Sequence, residues 1–154
     1  MIIAIDFDGT CVTHEFPKIG KDIGAAPILK ALTDNGHKLI LYTMRDDSCK
    51  RFDDFEGNTL QDAIEWFKSH EIPLYGVNKN ETQDRWTHSP KVYAHLYIDD
   101  AALGTPLMYN EDRPYVDWKQ VIIMLADKGC LLSEDVSRLI KGVMDAQEKL
   151  TIEE

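Results

Sequence analysis

The sequence predicts an α/β fold, a three-layer α/β/α sandwich in which a central, mostly parallel β-sheet lies between layers of helices. Short apolar segments alternate along the chain with segments whose apolar residues recur every three to four positions, as expected for strands and amphipathic helices. The first segment, from Met1 to Thr10, has the sequence MIIAIDFDGT, in which the apolar run from Ile2 to Ile5 precedes two acids. Such an uninterrupted apolar run is typical of a strand buried on both faces of a parallel sheet.

The same patterns predict the remaining elements. The predicted strands after the first lie at 38–42, 73–77, within 92–98 and at 107–109. Pro106 precedes the last of these, which therefore suits an edge better than a central position. The predicted helices begin near Ala25, at a cap formed by Asn58 or Thr59, after Asp117 and after Ser133. Residues 46–57 and 78–90 are polar and are predicted to be loops, and the alternation predicts right-handed crossovers.

Length and composition indicate a globular protein. A chain of 154 residues, of which 44% are hydrophobic, can bury a core of ordinary size. No segment has the composition of a linker that would divide the chain. We therefore predict one domain over residues 1–154, with a core at 1–110 and C-terminal helices within 115–150 that pack against it.

Charge and cysteine content exclude several classes of protein. The net charge of −10 argues against general binding to nucleic acid or to an anionic membrane. No apolar run approaches the length of a membrane span, and the N-terminal segment lacks the basic region and cleavage site of a signal peptide. The 3 cysteines are widely spaced and form no metal-binding pattern, which indicates a reducing compartment. We predict a cytoplasmic protein whose oligomeric state the sequence leaves open.

Three predicted strands end in residues with useful chemistry. Asp6 and Asp8 follow the first strand, Thr43 follows the second, and Asp99 and Asp100 follow the fourth. Because the carboxyl ends of parallel strands share one edge, where such folds bind ligands, these side chains can converge. Neighbouring carboxylates repel one another, and a bound cation removes that cost. The alternative is that the first acidic pair forms only a polar hairpin turn.

The chain resembles the haloacid dehalogenase-like superfamily, whose hydrolases form an aspartyl phosphate and have a Rossmann-like fold. Its four motifs appear in order: D-x-D-G-T at residues 6–10, a hydrophobic strand ending in Thr43, a lysine assigned to Lys91, and the acidic pair Asp99 and Asp100. The resemblance covers residues 1 to about 110. The intervals in which relatives carry a cap domain are too short for one here, so the chain is most similar to small capless members from bacteria and their phages.

The resemblance implies a Mg²⁺-dependent phosphatase that hydrolyses a phosphomonoester. Asp6 would be the nucleophile, and Asp8 would act as general acid and then as general base. Thr43 and Lys91 would bind the transferred phosphate as further catalytic residues. The protein ligands of Mg²⁺ would be Asp6, Asp8 through its backbone carbonyl, and one member of the pair Asp99 and Asp100.

Thr10 and Arg45 are assigned to substrate binding, the latter because it lies two residues beyond Thr43. The expected substrate is a small phosphorylated compound or a nucleotide, with nucleic acid expected only as a phosphorylated end. One alternative is a phosphotransferase or polynucleotide phosphatase of the same superfamily. Another is a signalling or interaction module that only accepts phosphate on a receiver-like sheet. In receivers the acceptor aspartate ends the third strand, whereas here that strand ends in Val77 and Asn78.

Overall fold

Four parallel strands form the central sheet of the computed structural model, which describes residues 1–48 and 57–152. The strands are β1 (Ile2–Ile5), β2 (Lys38–Leu41), β3 (Leu74–Val77) and β4 (Leu96–Ile98). Their order in the sheet is β3-β2-β1-β4, so β1 has a neighbour on each side. The predicted α/β class with a parallel sheet is confirmed. Of the predicted loop at 46–57, residues 49–56 fall outside the described residues.

The register of the sheet aligns the ends of three strands. Ile5, the last residue of β1, lies beside Leu41 of β2 and Ile98 of β4. The first residues beyond the strands continue this pairing, because the Asp6 N–H donates to the Ile98 carbonyl (3.0 Å) and the Tyr42 N–H donates to the Ile5 carbonyl (2.8 Å). Side chains that follow β1, β2 and β4 therefore emerge at one edge of the sheet.

Four helices form the main core with one face of the sheet. They are α1 (Ala25–Asp34), α2 (Thr59–Ser69), α3 (Trp118–Asp127) and α4 (Ser133–Ile152). Each contributes buried apolar side chains to one cluster, exemplified by Leu29, Phe67, Trp118 and Val143. Burial of each large side chain of this kind contributes about 1.5–3 kcal/mol. None of these helices, in the part of the chain described, has both the length and the apolar character needed to cross a bilayer.

The opposite face of the sheet is covered differently. Ala4 is buried on this face, and Tyr97 lies beside it in the register. The Tyr97 hydroxyl donates to the carbonyl of Val92 at 2.5 Å, which ties the sheet to the segment 78–95. That segment contains a 3-10 helix (Glu81–Arg85) where the sequence analysis predicted only a loop. This second outer layer is therefore thin compared with the four helices on the other side.

A small hairpin lies beside the central sheet. The predicted fifth strand is present as β5 (Leu107–Met108), but it is not an edge strand of the central sheet. It pairs in antiparallel fashion with β6 (Tyr115–Val116), a strand that the sequence analysis did not predict. The Val116 N–H donates to the carbonyl of Gly9 at 2.8 Å. The hairpin is thereby fixed to the turn that follows β1.

Helix α3 begins as predicted, because the Asp117 side chain accepts a hydrogen bond from the N–H of Lys119 at 3.1 Å. For α2 the N-cap position was predicted correctly, but the capping side chain was not. Asn58 occupies the N-cap position without a side-chain bond, and Asp47 instead accepts from the two N–H groups that follow Thr59, at 2.9 and 3.1 Å. Asp47 lies 13 and 14 residues before the groups that it caps, a separation that a local pattern of the N-cap type does not reveal.

Candidate functional site

The ends of β1, β2 and β4 line a cavity of about 530 Å³. Its lining includes five of the side chains that the sequence analysis assigned to a site: Asp6, Asp8, Thr43, Asp99 and Asp100. Arg45 also lines the cavity, whereas Thr10 and Lys91, both in the described part of the chain, lie outside its lining. The structure therefore brings together acids and a hydroxyl group from three neighbouring strands.

Three of the acids form a compact cluster. One carboxylate oxygen each from Asp6, Asp99 and Asp100 lies within 4.8 Å of the other two. Mg²⁺ takes oxygen ligands at about 2.0–2.1 Å, which sets neighbouring ligands of an octahedral site about 3 Å apart and opposite ligands about 4 Å apart. Small side-chain rotations would bring the three oxygens to those spacings, so the cluster fits a divalent cation. The Asp8 carboxylate is outside this cluster, and coordination through its backbone carbonyl stays a prediction.

Asp6 sits in surroundings that disfavour its charge. Burial raises the pKa of Asp6 to about 7, and the negative charge of Asp99 adds to the rise. Hydrogen bonds from the N–H of Phe7 and the hydroxyl of Thr10 act in the opposite direction but do not cancel the effect of burial. A cation at the cluster would favour the charged carboxylate, so the electrostatics of Asp6 also fit a bound metal.

The turn after β1 is tight. The N–H groups of Thr10 and Cys11 both donate to the carbonyl of Phe7, at 3.1 and 2.8 Å. Gly9 has a φ of +81°, in the left-handed region that glycine adopts at little cost. A Cβ atom on Gly9 would lie 2.0 Å from Nε2 of His14, so the site also lacks space for a side chain. Glycine is therefore required here both by the backbone and by packing against His14.

Thr10 lies behind the acids and is fully buried. Its Oγ1 donates to Oδ2 of Asp6 at 3.1 Å and accepts from the N–H of Asp100, also at 3.1 Å. Thr10 thus connects the end of β1 with the end of β4. This placement supports a role in positioning the acids in place of the predicted contact with substrate.

Arg45 is buried and uses its side chain within the protein. Its Nε and Nη2 donate to the two carboxylate oxygens of Asp8. Nη2 also donates to the carbonyl of Lys18, and Nη1 donates to the carbonyls of Pro17 and Thr59. A guanidinium has five N–H donors, so every donor of Arg45 has a protein acceptor. The predicted contact with substrate would require Arg45 to give up one of these bonds.

Thr43 is placed as a donor to the cavity. Its N–H donates to Oδ1 of Asn78 at 2.8 Å, and its Oγ1 accepts from the N–H of Arg45 at 3.1 Å. A hydroxyl that accepts through a lone pair keeps its proton for another acceptor. Thr43 can therefore donate to a ligand in the cavity, while its own backbone N–H is already used.

Lys91 is exposed and lies near the opposite face of the sheet. Its Nζ is 5.6 Å from the centre of the Tyr97 ring, whose hydroxyl bonds to the segment covering that face. The physical reason is topological. Lys91 precedes β4, whereas the side chains that line the cavity from this strand follow it. The assignment of Lys91 to phosphate binding therefore rests on motif order and lacks support from its position.

Two ionisable residues that the sequence analysis did not assign also line the cavity. His14 is half-buried, and its Nε2 lies 2.9 Å from Oδ2 of Asp100. Its position four residues beyond the D-x-D-G-T motif was the signal that could have identified it. Arg113 reaches the cavity from the loop between β5 and β6. No signal in the sequence marks Arg113, because the hairpin that positions it was not predicted.

Comparisons with known proteins identify one relative. No family model matches the sequence, and no curated protein matches it. Among solved structures, the chain is similar to a conserved protein from Bacteroides thetaiotaomicron, with 34% sequence identity and a TM-score of 0.64. The similarity covers 83% of this chain and 91% of that protein. Because the two sequences and folds agree over most of both proteins, the chain belongs to the family of this conserved Bacteroides protein.

Proposed function

We propose that the protein is a Mg²⁺-dependent phosphatase that hydrolyses a phosphomonoester through an aspartyl phosphate on Asp6. The observation that carries this proposal is the cluster of Asp6, Asp99 and Asp100, whose oxygens lie within 4.8 Å of one another beside Thr43 in one cavity. The resemblance of four ordered motifs to the haloacid dehalogenase-like superfamily supports the same conclusion. The three acids would hold the metal, which when bound neutralises charge on Asp6 and on the phosphoryl oxygens.

The proposed reaction has two steps. The Asp6 carboxylate attacks phosphorus, and the bond from phosphorus to the leaving oxygen breaks with its electron pair going to that oxygen. A water molecule then attacks the phosphorus of the aspartyl phosphate, which releases inorganic phosphate and restores Asp6. The Thr43 hydroxyl, which keeps its proton, would donate to a phosphoryl oxygen in both steps. Asp8, two residues from the nucleophile, would accept the proton of the attacking water at the cost of one of its bonds from Arg45, and would then release that proton to solvent.

The ion pair between Asp8 and Arg45 affects which substrates should react fastest. Both Asp8 oxygens accept hydrogen bonds from Arg45, at 2.8 and 2.7 Å. A protonated Asp8 would lose one of these bonds, because an O–H group is a donor and faces an N–H donor there. Protonation of a leaving group by Asp8 is therefore costly. We expect esters and anhydrides whose leaving groups need no proton, such as p-nitrophenyl phosphate and acetyl phosphate, to react faster than alkyl phosphates.

The main alternative is a module that accepts phosphate without turnover. Two assays separate these functions. The phosphatase releases many equivalents of inorganic phosphate from p-nitrophenyl phosphate in Mg²⁺, whereas the module takes up one stable equivalent from acetyl phosphate. Sustained turnover supports the phosphatase, and stoichiometric labelling that persists without turnover contradicts it.

The substrate itself is the next question. A panel of phosphorylated metabolites, nucleotides, and oligonucleotides phosphorylated at the 3′ or 5′ end would rank substrate classes by kcat/KM. A polynucleotide phosphatase would prefer the oligonucleotides, and a phosphotransferase would pass phosphate to an added alcohol instead of water. Both described cysteines, Cys11 and Cys130, are free and buried, which is compatible with the expected reducing, cytoplasmic setting.

A further inference from the structure

Two arginines line the cavity, and they differ in how they are used. Arg45 and Arg113 both contribute to the lining, together with the cluster of Asp6, Asp99 and Asp100. A phosphate group that enters the cavity meets these carboxylates and is repelled unless cationic donors face it. A cation can serve a ligand in this way only if its donors are not already occupied by the protein.

Arg45 is not available to a ligand. Its side chain is fully buried, and all five of its N–H donors bond to protein acceptors. Releasing the two bonds to Asp8 would leave a carboxylate that is only 17% exposed without its partner. The position of Arg45 is therefore fixed by the fold.

Arg113 has the opposite character. Its side chain is exposed, and within residues 1–48 and 57–152 no hydrogen bond or ion pair joins it to another residue. The strand that begins two residues after it is nevertheless held in place. Arg113 lies three residues before Val116, which pairs with Leu107 in the hairpin and donates to the carbonyl of Gly9 in the turn after β1. An unoccupied guanidinium thus lies at the wall of the cavity, close in the chain to a fixed strand.

We infer that Arg113 binds the phosphate group of the substrate and supplies the positive charge that motif order assigned to Lys91. The inference rests on the proposed phosphatase function. A guanidinium offers two parallel N–H donors that match two phosphate oxygens, which makes arginine well suited to this contact. Lys91, in contrast, lies over the Tyr97 ring and outside the cavity lining. The β5–β6 hairpin accordingly contributes to the binding site.

The inference is tested by the affinity of inorganic phosphate for the Mg²⁺-loaded protein, measured by isothermal titration calorimetry. Arg113→Ala should weaken phosphate binding by about tenfold or more, since it removes charge-assisted hydrogen bonds. Arg113→Lys should recover part of the loss, because it restores the positive charge but not the two parallel N–H donors of the guanidinium. Lys91→Ala and Arg138→Ala, the latter an exposed arginine on α4, should both stay within about twofold of the parent.

The outcomes separate this inference from the function on which it rests. If the parent protein binds phosphate and Arg113→Ala binds it equally well, the role of Arg113 is refuted while the phosphatase proposal stands. If Lys91→Ala shows the larger loss, motif order was the better guide and the inference is again wrong. If the parent protein neither binds phosphate nor releases it from any substrate of the panel, the proposed function fails and the inference fails with it.

Discussion

Arg45 donates hydrogen bonds to both carboxylate oxygens of Asp8, with Nε 2.8 Å from Oδ2 and Nη2 2.7 Å from Oδ1. The pair joins Asp8, three residues beyond the end of β1, to the loop that follows β2. The Arg45 side chain has no exposed surface, and that of Asp8 is 17% exposed. The geometry is that of a bidentate pair largely removed from water, in which each partner depends on the other.

Arg45→Ala should lower the free energy of unfolding by about 3–5 kcal/mol, because a largely buried carboxylate and three carbonyl acceptors lose their donor. Urea unfolding measures this loss. Arg138→Ala is the matched control, since its ion pair with Asp135 is exposed to solvent and should contribute at most about 1 kcal/mol. A loss at Arg45 no larger than that at Arg138 would refute a structural role for the Asp8 pair.

The sequence predicted the convergence of the acids because that convergence follows from local patterns and one topological rule. Buried apolar runs located β1, β2 and β4, and the parallel register then placed Asp6, Thr43 and Asp99 at one edge. Nothing beyond strand ends was needed for this result. The shared location of these side chains could therefore be predicted from the pattern of apolar residues and the topology of parallel sheets alone.

The sequence did not predict contacts between segments that are far apart in the chain. Strands β5 and β6 have two residues each, too few for a periodic pattern, so the hairpin that carries Arg113 was missed. The pairing of Arg45 with Asp8 spans 37 positions and depends on how the loops fold back. Lys91 was chosen by its order among motifs, and order along the chain does not determine which face of the sheet a loop covers.

The stability of the metal-free protein should depend on the titration of Asp6. The pKa of Asp6 is raised by burial from 3.8 to about 7 in the folded protein. The folded state therefore binds the proton more tightly than the unfolded state. The resulting contribution to the free energy of unfolding is fully present below about pH 4 and is lost as the pH rises through 7. A rise of this size corresponds to at most about 4 kcal/mol.

Asp6→Asn removes that dependence of stability on pH. In EDTA, the free energy of unfolding of the variant should therefore exceed that of the parent protein by more at pH 8 than at pH 5. Urea unfolding at the two pH values gives the difference. Asp127→Asn, at an exposed acid in the last turn of α3, should show no such trend. If the difference in the free energy of unfolding between Asp6→Asn and the parent protein is equal at both pH values, the pKa of Asp6 is not raised in the folded protein.

Mg²⁺ should stabilise the protein and be required for turnover. The cluster of Asp6, Asp99 and Asp100 concentrates negative charge that a cation neutralises. We expect EDTA to abolish phosphate release and Mg²⁺ to restore it, and we expect Asp99→Ala and Asp100→Ala each to raise the Mg²⁺ concentration needed for half-maximal stabilisation in thermal unfolding. Full activity in the presence of the chelator would rule out the metal site.

His14 should tighten metal binding through Asp100. Its Nε2 lies 2.9 Å from Oδ2 of Asp100, so the ring orients a carboxylate of the cluster without belonging to it. His14→Ala should weaken Mg²⁺ binding by about ten- to a hundredfold, the range found when partners of metal ligands are removed. Calorimetric titration with Mg²⁺ measures the affinity without relying on turnover. His37→Ala, whose ring bonds to the Cys130 carbonyl away from the cavity, is the control, and equal affinities in the two variants would contradict the role of His14.

The identity of the nucleophile is the central claim, and the turnover of p-nitrophenyl phosphate by Asp6→Asn in saturating Mg²⁺ tests it most directly. An amide at position 6 cannot form the aspartyl phosphate, so kcat should fall by at least about a thousandfold while circular dichroism and thermal unfolding show a folded protein. Turnover by Asp6→Asn at a rate close to that of the parent protein would contradict the mechanism and with it the assignment of this cavity as a phosphatase site.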